Sequence, residues 1–115
     1  MIHSYKNKQL GRKRHQRNAL VRTLAVSLVK NGKITTTETK AKVLRTFIEK
    51  LITKGKPGSV NALRLIASRI GVTSASKIIK DIAPKYKERN GGYTRVTKLE
   101  RRLSDGAQLA VIEFV

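Results

Sequence analysis

Cysteine and tryptophan are absent from this 115-residue chain, methionine occurs once, proline twice, and aromatic residues make up only 4%. Without cysteine there is no disulfide framework and no thiolate metal site, a composition that fits a reducing compartment. No apolar run approaches ~18 residues, so no segment reads as a membrane span. Acids are also scarce, with seven Asp and Glu against 26 Lys and Arg and a formal net charge of +19. The first acid is Glu38, and before it stand Lys6, Lys8, Arg12, Lys13, Arg14, Arg17, Arg22, Lys30 and Lys33. A solvated surface mixes signs to limit self-repulsion, so a one-sign stretch of this length implies a polyanionic partner, nucleic acid first. The chain is 39% hydrophobic, which keeps it out of the disordered class and allows one domain with a modest core.

Catalysis has little to work with. His3 and His15 lie in the basic N-terminal part with no carboxylate near in sequence. The acids Glu38, Glu49, Asp81, Glu88, Glu100, Asp105 and Glu113 are scattered, and none forms the carboxylate cluster of a two-metal nuclease. We therefore expect no enzyme, no cofactor, no metal and no small-molecule substrate. Ala19 to Val29 follows a basic stretch as a signal peptide would, but Arg22 interrupts it and no small-residue cleavage site follows. The acid-poor, amphipathic start is closer to an organelle transit peptide. The same segment supplies a core stripe, however, and we read it as part of the fold.

Residues 1–10 show no periodicity and read as an extended basic arm, with residues 11–115 as a single α+β domain. From Gly11 to Asn31, Leu20, Val21, Leu24, Ala25, Leu28 and Val29 recur at helical spacing, and Gly32 stops the helix. One turn back, the stripe lands on Arg17, and an unpaired guanidinium does not sit in a core. The helix start is thus expected to project outward with Arg12, Lys13, Arg14 and Arg17. Lys33 to Thr37 reads as a strand, and a helix capped by Thr35 or Thr37 follows, with Leu44, Phe47, Ile48, Leu51 and Ile52 inward. Ser59 caps a third helix that ends at Gly71, and Thr73 or Ser74 opens a fourth, with Pro84 beyond it. Two strands close the chain across Asp105-Gly106, giving the order α-β-α-α-α-β-β. Leu109 to Phe114 is apolar on both faces, which predicts a central strand buried on both sides.

Gly91-Gly92 lies among Lys85, Lys87, Arg89 and Arg95, with Tyr86 and Tyr93 interleaved. Glycines let a backbone approach a phosphate, and tyrosines stack on unpaired bases, so this loop is either a nucleic-acid contact or an ordinary entry to a strand. Two rival functions are weaker. A helix-turn-helix regulator would use Ser59–Ala83, yet its second helix carries only Lys77 and Lys80. A membrane-surface helix would need the first helix free of the core.

Ile34-Thr35-Thr36-Thr37-Glu38-Thr39-Lys40-Ala41-Lys42, followed by Glu49 and Leu51-Ile52-Thr53, resembles the signature of the bacterial large-subunit ribosomal protein seventeen family. Leu10-Gly11-Arg12 with Arg17, Ala19, Leu20 and Arg22 agrees, as does Gly91-Gly92-Tyr93-Thr94-Arg95. The chain departs from the family pattern at Ile2, Gln16 and Gly55, where a basic residue, histidine and a residue such as alanine are usual. The resemblance implies a mixed three-stranded sheet of order 1-3-2 with helices packed on it. It also implies a structural constituent of the large (50S) ribosomal subunit that works in translation. Such a protein binds 23S-type ribosomal RNA, adjoins neighbouring ribosomal proteins and sits near the nascent-chain exit, without a membrane partner. Cytoplasmic ribosomes are expected, with an organellar ribosome left open. Contacts are expected from His3, Tyr5, Lys6, Lys8, Arg12, Lys13, Arg14, Arg17, Arg22, Lys40, Lys42, Arg89, Gly91, Gly92, Tyr93 and Arg95, by phosphate neutralisation and base stacking.

The arm contributes nothing to the periodic core. Deleting residues 1–10 is therefore expected to leave the thermal transition cooperative while lowering RNA affinity. Loss of the cooperative transition would make the arm structural.

Overall fold

The computed structural model describes residues 14–115, so the arm and the expected helical turn from Gly11 lie outside the described residues. Helix α1 (Arg14–Asn31) buries Val21, Ala25, Leu28 and Val29, which lie on one face because they are separated by close to whole helical turns. Gly32, at φ 82°, ends it by donating its N–H to the Leu28 carbonyl at 2.8 Å, a left-handed cap that glycine adopts without a Cβ penalty. Strand β1 (Lys33–Thr37) follows directly.

Helix α2 (Glu38–Gly55) begins where Thr37 Oγ1 accepts the Lys40 N–H at 3.4 Å, one of the two caps expected. Its inner face is Ala41, Leu44, Ile48, Leu51 and Ile52, all buried. Glu38 in the first turn carries a buried Oε2 with no aligned hydrogen bond, but Lys98 Nζ lies 3.3 Å from it and Lys42 Nζ is 3.7 Å from Oε1. Lys98 above all, and then Lys42, hold this carboxyl below its ordinary range against the opposing effect of desolvation.

Helix α3 (Val60–Ile70) is capped by Ser59, whose Oγ accepts the Ala62 N–H at 3.1 Å. Helix α4 (Val72–Lys77) starts one or two residues before the expected caps. Gly71 is both stop and start: its N–H bonds the Ala67 carbonyl at 2.8 Å and its own carbonyl accepts from Ala75 at 3.1 Å. Thr73 and Ser74 therefore do not cap it. The rod continues as a π-helical turn (Ile78–Ile82) and a 3₁₀ turn (Ala83–Tyr86). Pro84 lacks the N–H that a regular ladder would donate to the Lys80 carbonyl, so the α-helical pattern cannot run through it. Ile78 and Ile82, at the two ends of the widened turn, are both buried in the core.

Strands β2 (Thr94–Arg101) and β3 (Gln108–Phe114) complete a sheet of order β1-β3-β2, and the α+β class and strand order are those expected. The sheet is not mixed. Both pairings are antiparallel, as the short β2–β3 hairpin demands for its own pair. Nor is β3 buried on both faces: Ala110 and Ile112 are buried, whereas Leu109, Val111 and Glu113 are half-buried on the other side. Ala110 and Ile112 join the helices in one core, with Ile34 and Val96 packed beside them. Cross-strand neighbours shield the opposite face only in part. Strand β3 is central as expected, but through its pairing with both neighbours and not through two covered faces.

Gly55 sits buried at the end of α2 among core side chains. A Cβ there would stand 3.1 Å from Ile66 Cδ1 and 3.3 Å from Ile78 Cγ2. Gly55→Val is expected to lower stability by about 1–3 kcal/mol through overpacking, measured by denaturant unfolding at constant m-value. An unchanged midpoint would show that α3 and the π-helical turn yield freely.

Candidate nucleic-acid interface

Because α1 turns Val21, Ala25 and Leu28 inward, Arg14 and Arg22 are carried on its exposed side and Arg17 is half-buried at the margin. The same geometry on α2 places Lys42, Arg45, Lys50 and Lys54 on the face opposite the apolar stripe, all exposed. Where α1 and α2 pack, these two rows become the walls of one open groove of about 1220 Å³. Val21, Val43, Phe47 and Leu51 supply apolar lining between the walls, and Ser68 and Arg69 at the end of α3 close one side. Eight Lys and Arg side chains line the groove, and no Asp or Glu does among the described residues. Cations crowded along one groove repel each other, and a polyanion relieves that repulsion while releasing counterions.

Two of these cations already have work inside the fold. Arg22 donates from Nε to the Arg69 carbonyl at 2.7 Å and from Nη2 to the Ser68 carbonyl at 3.3 Å, capping the C-terminal turn of α3. It holds the groove's side in place and keeps other N–H donors for a ligand. Lys42 is exposed and faces the half-buried Glu38 across 3.7 Å.

On its other side α2 forms a second, shallower groove of about 540 Å³ with the segment Gly91–Thr94. Arg45, Thr46, Lys50 and Lys54 line both grooves. Gly91 and Gly92 have φ of 89° and 66°, and a Cβ on either would meet no atom within 4 Å. Their glycine identity is thus set by backbone conformation, and the bare backbone faces outward. Glu49 also lines this groove, but its Oε2 accepts from Thr94 Oγ1 at 2.9 Å and from the Thr94 N–H at 3.2 Å.

Several expected contacts are placed differently. Tyr93 is 1% exposed. Its ring centroid lies 5.2 Å from that of Tyr86, and its hydroxyl shares a 3.2 Å hydrogen bond with Thr53 Oγ1. With Lys56 Nζ 4.8 Å from its ring centroid, it is a core residue with no face left for a base. Lys56 and Thr53 hold the Tyr93 hydroxyl below the usual tyrosine range, whereas burial pushes Tyr86 up. Arg95 points to the opposite face of the sheet, where Nη2 lies 3.0 Å from Glu113 Oε1. Arg89 braces the glycine loop by donating to the Gly92 carbonyl at 3.2 Å, and Lys56 in turn donates to the Arg89 carbonyl. Lys40 is half-buried and outside both grooves.

The structure thus brings Arg14, Arg17, Arg22 and Lys42 together and sets Gly91 and Gly92 beside them across α2. It separates Lys40, Arg89 and Arg95 from that surface and buries Tyr93. His3, Tyr5, Lys6, Lys8, Arg12 and Lys13 lie outside the described residues. Arg45, Lys50, Lys54 and Arg69 line the groove without being among the expected contacts, although the three on α2 are legible as the basic complement of its apolar stripe. Among the described residues no group of His, Asp and Glu could hold a metal, and no helix is long and apolar enough to cross a membrane.

The family model described as ribosomal protein L17 matches residues 20–115. A large ribosomal subunit protein bL17 from Sulfurihydrogenibium sp. (strain YO3AOP1) is 51% identical over 117 residues, covering 100% of this chain and 97% of the relative. The protein of that name from Persephonella marina is 51% identical over 118 residues, covering 100% and 95%. One from Campylobacter jejuni serotype O:2 is 46% identical over 116 residues, covering 100% and 99%.

Arg17 tests whether the groove wall or the core owns the start of α1. Arg17→Leu is expected to leave the melting temperature nearly unmoved and to weaken RNA binding by about 1–3 kcal/mol, the range for a charge-assisted hydrogen bond. Thermal melting and RNA titration at fixed salt on one purified variant measure both. A clear rise in stability with unchanged affinity would assign Arg17 to the core edge.

Proposed function

This chain belongs to the ribosomal protein L17 family, and we propose that it binds 23S-type ribosomal RNA through the basic surface formed by α1 and α2. As a family member it is a structural constituent of the large ribosomal subunit, serving translation in the cytoplasm, and not an enzyme. The observation that carries the RNA reading is the groove itself: eight basic side chains on facing walls, without an acid among the described lining residues. Lys and Arg there neutralise phosphates, and packed RNA desolvates them and strengthens each contact. We read residues 1–10 as an arm that extends the same surface and residues 11–115 as the domain that anchors it. Neighbouring ribosomal proteins complete its surroundings, and the family resemblance implies a position near the nascent-chain exit.

A helix-turn-helix reading has less to stand on. Helix α4 is six residues long, and Lys77 in its last turn donates to the Lys30 carbonyl at 3.1 Å.

Titration of the isolated protein with ribosomal RNA across a salt series tests the proposal. If about eight phosphates are neutralised, log K against log salt is expected to fall with a slope of roughly −6 to −7. A slope near −1 would mean that the positive charge is not the binding surface.

A further inference from the structure

Arg45, Thr46, Lys50 and Lys54 belong to both grooves, so the exposed face of α2 is a basic crest with a channel on either side. An α-helix with its side chains is about 10–12 Å across. The deep channel has Arg14 and Arg17 on its far wall, and the shallow one has the bare backbone of Gly91 and Gly92. Single-stranded RNA has one backbone to place and would fill one channel. A duplex has two backbones flanking a groove, and in A-form RNA the groove open to protein is the wide, shallow minor groove.

We infer that α2 seats as a ridge in the minor groove of double-helical RNA, with one sugar–phosphate backbone in each flanking channel. This rests on the RNA-binding reading above and adds the class of RNA and its orientation to it. The crest is suited to that seat. Lys50 and Lys54 are one helical turn apart along the ridge, and Arg45 reaches either channel. Thr46 puts a hydroxyl group beside them, where ribose 2′-hydroxyls would lie. Glu49 is the one acid on the described lining of the shallow channel. Its carboxylate is tied by Thr94 to the start of β2, so it braces the channel wall and leaves the crest basic.

Binding of the full chain to a perfectly paired RNA hairpin is compared with binding to an unpaired strand of the same length, at one salt concentration. The hairpin is expected to bind at least tenfold more tightly. Lys50→Glu with Lys54→Glu is expected to cost at least tenfold on the hairpin and less on the strand, because the crest serves both backbones only in the duplex. Lys80→Glu with Lys85→Glu makes the same charge change at exposed sites away from both grooves and is expected to cost less than threefold. All four lysines are exposed, and a thermal melt checks that each variant keeps its transition. Equal binding of hairpin and strand overturns the inference, as does an equal loss in the two double variants. Either result leaves the RNA reading standing if the steep salt slope remains, whereas a flat slope removes both.

Discussion

Burial of the inner face of α2 is the interaction on which the rest of this protein depends. Leu44, Ile48, Leu51 and Ile52 are buried there. Each contributes about 1.5–3 kcal/mol relative to exposure, an upper range because a real unfolded chain already hides some apolar surface. Around that face gather α1, the inner side of the sheet, α3 and the π-helical turn, in one continuous core. Gly55 at the end of the helix lets Ile66 and Ile78 pack close, where a Cβ would stand 3.1 and 3.3 Å from them. With its inner face so committed, the helix has its opposite face held rigidly outward, and that face carries Arg45, Lys50 and Lys54. A long basic side chain on a fixed helix loses less freedom on binding than one on a mobile loop, so the core prepares the surface.

Charge is divided by use. Four of the acids act as ties within the fold: Glu38 with Lys98 and Lys42, Glu49 with Thr94, Arg95 with Glu113, and Arg102 with Asp105. None of them lines the deep groove. Three of these ties join a helix to a strand or a strand to its neighbour, and among the described residues Lys42 is the one cation of the α1–α2 groove with a carboxylate at ion-pair distance. The remaining self-repulsion is a standing cost to the free protein, and a polyanion on the groove removes it. The same arrangement makes the outer sheet face a different kind of surface, with Arg95 and Glu113 paired across the strands and Val111 half-buried between Thr35 and Thr97.

The tyrosine pair shows how one chain segment serves both the core and the surface. Tyr86 donates to the Val115 carbonyl at 2.7 Å, and the Val115 N–H donates to the Tyr93 carbonyl at 3.0 Å, so the last strand is closed against the loop that precedes β2. Lys56 and Arg89 then lie over the two rings, Lys56 above Tyr93 and Arg89 above Tyr86 at 5.9 Å. A loop whose composition reads as an RNA contact is in large part a structural latch, and its two glycines line the shallow groove beside the buried Tyr93 and Thr94.

Much of this was legible in the sequence. Helical spacing marked the core of α1, α2 and α3, the Thr37 and Ser59 caps and the Gly32 and Gly71 stops bounded them, and the one-sign N-terminal third set the class of partner. Local rules suffice there because a helix face and a cap depend on residues within one or two turns. What they could not supply was side-chain placement in and before the strands. Tyr93 and Arg95 are two residues apart and equally plausible as contacts, yet one is buried under α2 and the other paired on the far face, a choice made by β2 pairing and by the Lys56 and Thr53 that cover the ring. Pro84 announced a break but not the π-helical turn before it, in which Ile78 and Ile82 are both buried. Which cations share a surface was likewise decided only by tertiary packing. Arg17 and Lys50 are more than thirty residues apart in the chain, and they face one groove because α1 and α2 bury their apolar stripes against a common core.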